Sequence, residues 1–167
     1  MKIIGIDLSG KDKNPTGFCV FLIENESEKI EKLTLLCKDN EIIEEVKKEN
    51  PCIICIDAPL SFPKSGYFRE SDIELKKKGF KPLSPLFPGM KVLVERGIRL
   101  KQKFEENGYK VIEVFPRATE RILRLSKEKK TNQDLYDAFL CALTGKYYLK
   151  NQYEILGNEI IIPKEQF

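Results

Sequence analysis

Two short apolar runs, each ending in an aspartate, constrain this chain more than any other feature. The first, KIIGID, sends Ile4 and Ile6 to one side of an extended backbone and Ile3 and Gly5 to the other, so neither face is polar. A strand of that kind is covered on both sides and belongs in the middle of a sheet. It stops at Asp7, and Ser9 and Gly10 turn the chain at once. The run CIICID repeats the arrangement, ending at Asp57 with Ala58 and Pro59 behind it. One such aspartate would be read as a turn cap. Two of them, on strands able to lie side by side, bring two carboxylates together at the carboxyl edge of a sheet, where open α/β sheets bind their ligands.

The remaining elements supply what such a sheet needs. Thr16 to Glu24 is β-branched and aromatic, and Lys29 to Lys38 is half polar and so nearer an edge. Their short connections predict an antiparallel meander with the first run. Asp39 is placed to cap a helix with Ile42, Ile43 and Val46 on its buried side. Prolines and glycines punctuate Pro59 to Met90, with one short helix expected at Glu70 to Lys78. A segment of that length directly after a candidate site acid predicts a lid or binding loop. A helix from Val92 to Asn107 carries Arg96, Arg99, Lys101 and Lys103, with Gly108 at its C-terminal end. In the strand YKVIEVFP, Glu113 stands between Ile112 and Val114, which is costly unless something pairs with it. Pro116 opens a basic helix with Arg117, Arg121 and Arg124, read either as a solvated face or as a phosphate contact. Thr131 or Asn132 caps the last helix, DLYDAFLCALTGKYYLK, which is apolar nearly all round except for Asp134 and Asp137, three apart and on one face. A final short strand at Glu159 to Ile162 is expected on an edge. The expected organisation is one domain, residues 1–167, with the Pro/Gly-rich insertion at about 59–90.

Totals narrow the chemistry. A chain of 167 residues buries about 70% of its unfolded surface and needs no staples. With no histidine, a catalytic triad and the histidine-containing zinc sites are excluded. The net charge of +3 is too mild to diagnose nucleic-acid binding by itself. Five cysteines, with no signal peptide and no membrane-length apolar run, fit a reducing cytoplasm and no membrane. Cys52 and Cys55 are spaced as CxxC, but strand alternation sends them to opposite faces, so buried thiols explain them better than a redox or zinc pair.

Asp7, Asp57, Glu113, Asp134 and Asp137 each interrupt an otherwise buried element. If they meet, each like-charged pair about 4 Å apart repels by about 4 kcal/mol at an effective dielectric near 20. Such a cluster needs cations, and oxygen ligands without His or thiolate select Mg²⁺ or Mn²⁺. An all-carboxylate site of this type is used for two-metal phosphoryl transfer, which together with the resemblance described next implies a nuclease acting on DNA or RNA.

The order of these elements resembles the ribonuclease H-like superfamily, which implies a mixed α/β fold with a five-stranded sheet of order 3-2-1-4-5 and helices on both faces. More narrowly, GIDLSG with PTG, IDAPLSFP followed by Gly66, Arg69 and Asp72, then EVFP, then DLYDAFLCALTG look like the uncharacterised predicted-nuclease family within it. The spacing of Asp7, the acid ending the fourth strand and the Asp-x-x-Asp on the last helix is also similar to the bacterial Holliday-junction resolvases. That resemblance implies that Asp7 bridges two metals, that Asp57 holds one and Asp137 with Asp134 the other, and that the protein is a homodimer. Those resolvases carry Glu where this chain has Asp57, whose reach is one carbon shorter. Glu113 is either a base behind these acids or a partner for Arg69. Ser9, Arg69, Asp72 and Arg117 are the candidates for substrate contact. Two other functions fit the same residues. One is a catalytically silent nucleic-acid or protein binding module. The other is a nucleotide or phosphate binder, since DLSG and a TG turn also open the actin and sugar-kinase ATPases. Those ATPases duplicate the domain, and 167 residues cannot hold two copies.

Overall fold

A computed structural model describes residues 1–166. The elements in chain order are β1 (Lys2–Asp7), β2 (Thr16–Glu24), β3 (Ser27–Leu36), α1 (Asp39–Glu49), β4 (Ile53–Asp57), α2 (Glu70–Lys77), α3 (Met90–Glu106), β5 (Val111–Val114), α4 (Pro116–Ile122), α5 (Gln133–Leu149), β6 (Tyr153–Leu156) and β7 (Ile160–Pro163). The seven strands form one sheet of order β3-β2-β1-β4-β5-β7-β6. β1 pairs antiparallel with β2 and parallel with β4, and β2 pairs antiparallel with β3. The expected order 3-2-1-4-5 is thus present and is extended by two strands. β7 lies inside the sheet beside β5 rather than on an edge, and β6 forms that edge.

Alternation along the central strands divides the core into two layers. Ile4, Ile6, Phe18, Val20, Ile54 and Ile56 face α1 and α3 and pack with Ile42, Val46, Leu100 and Phe104. Ile3, Cys19, Phe21, Ile53, Cys55, Ile112 and Val114 face α5 and pack with Ala138, Cys141 and Ala142. The six isoleucines of β1 and β4 are fully buried, each contributing about 1.5–3 kcal/mol of transfer free energy. Cys52 is exposed and Cys55 buried, as opposite faces require.

α5 sits against the sheet because two strand positions lack side chains. A Cβ at Gly5 would run into the carbonyl of Ala138, and one at Gly17 into the carbonyl of Asp134. Asn132 caps this helix, its side chain accepting from the Leu135 N–H at 3.1 Å. The first turn of α5 is therefore pressed onto β1 and β2 beside their site ends.

The insertion is not a loose loop. Leu75 and Phe80 from it pack with Ala118 of α4 and with Leu156, Ile160 and Ile162 of β6 and β7. Gly157, at φ +55°, lies so close to the backbone of Ser71 that any side chain there would collide. The two extra strands and α2 thus bury one another. No helix among the described residues is long and apolar enough to cross a membrane.

Candidate active site

The parallel register of β1 and β4 places Asp7 directly opposite Asp57 at the carboxyl ends of the two central strands. Their carboxyl groups come within hydrogen-bonding reach of each other. Burial pushes the acid of Asp7 well up, and the charges of Asp57, Asp137 and Asp134 add to the rise. Burial likewise pushes Asp57 up, followed by the charge of Asp137. Two buried carboxylates in contact titrate as a unit and hold a proton between them unless a cation replaces it.

α5 brings the other two acids to this edge. Asp137 accepts from Gln133 Nε2 at 2.9 Å and from Arg117 Nη2, and Arg117 Nη1 donates to Glu120 Oε1 at 2.9 Å. Burial raises Asp137, and the Arg117 guanidinium opposes the rise. Arg117 is half exposed, so its cation sits at the rim. Asp134 is half-buried one turn earlier, close enough for Asp7 to feel its charge.

Glu113 belongs to a neighbouring buried network. Arg69 Nη1 and Nη2 donate to its two oxygens at 2.8 Å each, a two-pronged pairing, and the Leu60 N–H donates to Oε1 at 2.8 Å. Arg69 also donates from Nε and Nη2 to Asp72, both at 3.0 Å, and from Nη1 to Ser61 Oγ at 3.2 Å. All five of its N–H groups are thereby committed inside the protein, and none is left for a phosphate as the side chain stands. Asp72 is held by the same fork and by the Arg69 backbone N–H at 3.1 Å. Burial raises the acid of Glu113, with Arg69 pulling it back. Ser61 and Ser71 donate to the two oxygens of Glu159 at 2.6 and 2.8 Å, fastening the insertion to the turn before β7.

Ser9 is engaged in its own loop. Its hydroxyl lies 2.9 Å from the carbonyls of Lys11 and Asn14 and 3.1 Å from Thr16 Oγ1. Arg96 Nη1 donates to the Ser9 carbonyl at 2.8 Å and to Oγ at 2.9 Å, while its Nε reaches Asp39 at 2.7 Å and its Nη2 the Cys37 carbonyl at 2.6 Å. This arginine is buried and ties down the turn after Asp7. Asp39 is the first residue of α1 and accepts from Arg96 and Arg99, while Lys38 holds the cap position. The signal for Arg96 was present in the sequence as Arg96 and Gly97 beside apolar Val94 and Leu100, a basic residue on the buried stripe of the helix. Gly97 lies against Leu60, Ala58 and Pro59, which brings α3 against the strand end at Asp57.

The donor set at Asp7, Asp57, Asp134 and Asp137 is all oxygen and anionic, which suits a hard divalent ion. As placed, no three such side chains among the described residues converge on one point. Asp7 and Asp57 face each other, and Asp137 is turned to Arg117. The residues fit the ion in kind, and loading requires Asp137 to leave its arginine.

No protein-family model matches the sequence. No curated protein matches it either. Among solved structures, the chain is similar to Thermus thermophilus RuvC in complex with a Holliday-junction substrate, with 16% identity and a TM-score of 0.56, covering 90% of this chain and 96% of that one. It is similar to a second structure of Thermus thermophilus RuvC at 13% identity, with the same TM-score and coverage. With its central order β3-β2-β1-β4-β5 and this likeness over nine-tenths of its length, the chain has the ribonuclease H-like fold.

Proposed function

We propose that this protein is a divalent-metal-dependent nuclease that hydrolyses phosphodiester bonds. The observation that carries the reading is the register of Asp7 with Asp57 on adjacent central strands, with the Asp134 and Asp137 face of α5 pressed onto the same edge. A protein gains nothing in stability by burying carboxylates against one another. The similarity to RuvC, one structure of which holds a Holliday junction, supports nucleic acid as the partner. A homodimer is proposed on the same likeness. Five free thiols support a location in a reducing cytoplasm.

In this reading Asp7 and Asp57 hold Mg²⁺ or Mn²⁺ together, with Asp137 and Asp134 completing the set. Such ions, when bound, activate water and stabilise the departing oxygen. The chain's own residues do the rest. Asp7 and Asp57 would hold the ion as carboxylates, without the proton they share in its absence. Arg117, released from Asp137, stays on Glu120 at the rim, where its cation faces an incoming phosphate. Arg69 and Asp72 act as positioning residues, holding Glu113 and the Leu60 backbone so that the wall beside Asp57 keeps its shape. Arg96 does the same for the Ser9 turn beyond Asp7. Residues 59–90 form the lid over this edge.

The test is cleavage of labelled single-stranded, duplex, hybrid and four-way-junction substrates with Mg²⁺ or Mn²⁺, with Asp7→Asn beside wild type. The expected result is metal-dependent cutting that Asp7→Asn abolishes. Equal cutting by the variant would remove Asp7 from the chemistry. If the folded protein cuts nothing, the reading passes to a binding module of the same fold.

A further inference from the structure

Immediately beside Asp7 and Asp57 the edge opens into a cavity of about 180 Å³ whose walls are mostly apolar. Leu8 and Leu93 line it from the β1 and α3 side, Phe115 from the end of β5, and Pro82, Leu83 and Met90 from the insertion. The cavity is smaller than the 300–1,000 Å³ of pockets for drug-sized ligands, so it suits a single ring system. Arg69, Asp72 and Glu113 also border it, but Arg69 is fully committed to the two carboxylates and offers no site for an anion. The apolar character does not stop at the mouth. Leu83 is 52% exposed, and Tyr67, Leu86 and Phe87 on the same insertion also face solvent. The exposed side chains Lys81 and Lys91 adjoin the lining residues Pro82 and Met90.

The geometry points to this cavity as a receptor for one unpaired nucleobase of the strand whose phosphate lies at Asp7 and Asp57. The inference rests on the nuclease reading and adds a substrate class to it. A nucleotide is anionic at its phosphate and apolar only on the faces of its base, and here an apolar slot adjoins an anionic, metal-fitting edge, with exposed lysines next in sequence to two of its lining residues. In a continuous duplex the bases are paired and stacked inward, and bringing one into a side pocket costs a few kcal/mol. That cost is least for single strands, bulges and branch points. The protein therefore selects strands carrying an unpaired nucleotide at the cut. Because Pro82, Leu83 and Met90 come from residues 59–90, the insertion sets that selectivity.

The test uses the full chain with Mn²⁺ on three labelled DNAs: a single strand, the same strand in a continuous duplex, and that duplex with one bulged nucleotide. In a fourth DNA the bulged nucleotide is abasic. Wild type is expected to cut the single strand and the bulge at least tenfold faster than the continuous duplex. Removing the bulged base is expected to slow cutting there by about tenfold, the scale of one base stacked on apolar side chains. Binding of the bulged DNA by Asp7→Asn, read by fluorescence anisotropy, should weaken about tenfold when Leu83→Trp is added to fill the cavity. Leu83 is half exposed, so an unchanged melting temperature is expected for that variant. Metal-dependent cutting that ignores both pairing and the missing base overturns the base receptor and leaves the nuclease standing. If none of these DNAs is cut or bound, the base receptor falls, while the nuclease reading falls only if the wider panel above is also left uncut.

Discussion

Arg69→Met removes the only cation among the described residues that pairs with two buried carboxylates, Glu113 and Asp72. The side chain keeps an unbranched apolar stem, is shortened, and loses its charge and all five donors. In the folded protein Arg69, Asp72 and Glu113 are almost fully inaccessible to solvent. Unit charges about 4 Å apart at an effective dielectric near 20 attract by about 4 kcal/mol, and Arg69 makes two such contacts. Part of that gain is offset in wild type by the cost of burying the guanidinium. The expected net loss is therefore that of breaking a buried pair from one side, about 3–5 kcal/mol. For a chain of this size that corresponds to a melting temperature lower by about 6–20 °C. The assay is urea and thermal unfolding from pH 4 to pH 8. Burial raises the acid of Glu113 even with Arg69 present, and without it the acid rises further. A carboxyl raised in the folded state contributes stability that is present below its unfolded pKa and lost as pH rises through its folded pKa. The gap between variant and wild type should therefore be widest at pH 8 and narrow toward pH 4. A loss below about 1 kcal/mol at pH 8, or a gap that grows toward acid, would refute the assignment of this network as the anchor of the insertion.

Three further outcomes follow from the same geometry. Asp7→Asn should stabilise the metal-free protein above about pH 5, where wild type must on folding take up a proton that the unfolded carboxyl has already lost, its acid being held high by burial and by Asp57. The gain is at most about 4 kcal/mol, and a denaturant titration showing the variant less stable at pH 8 would count against the shared-proton pair. Because Asp7 and Asp57 release that proton on loading, the apparent affinity for Mg²⁺ or Mn²⁺ should rise with pH by about tenfold per unit below their raised titration, as read by calorimetry in two buffers; a flat profile speaks against loading at this pair. Arg117→Gln should tighten Mn²⁺ binding about fivefold by freeing Asp137 from a half-exposed partner worth roughly 1 kcal/mol, and weaker binding would mean that Arg117 supports the metal site.

The central fold was legible because it is written in periodicity. Strands apolar on both faces can only be central, and KIIGID and CIICID gave β1 and β4 together with the parallel register of their aspartates. α5 was legible for the same reason, being apolar nearly all round. The placement of β7 inside the sheet was not, because Ile160 to Pro163 reads the same on an edge or in a middle. What decides it is the cover that Leu75 and Phe80 supply from a distant part of the chain. In the candidate site the acids announced themselves as charges in buried runs, and so did the need of Glu113 for a partner, which Arg69 meets. The role of Arg96 could not be read from its helix, since only tertiary structure brings Asp39 and the Ser9 carbonyl to it. The apolar cavity had no sequence signature at all, because its walls come from segments scattered from Asp7 to Ile160.

The seating of α5 on Gly5 and Gly17 has a consequence for biosynthesis. A nascent chain emerges amino-terminus first, so β1, β2 and β4 are outside the ribosome well before residues 133–149 exist. Asp7 and Asp57 can meet at that stage, but their partners on α5 arrive only once residues 133–149 have been made. The edge therefore gains Asp134 and Asp137 only after all the strands from β1 to β5 have been made.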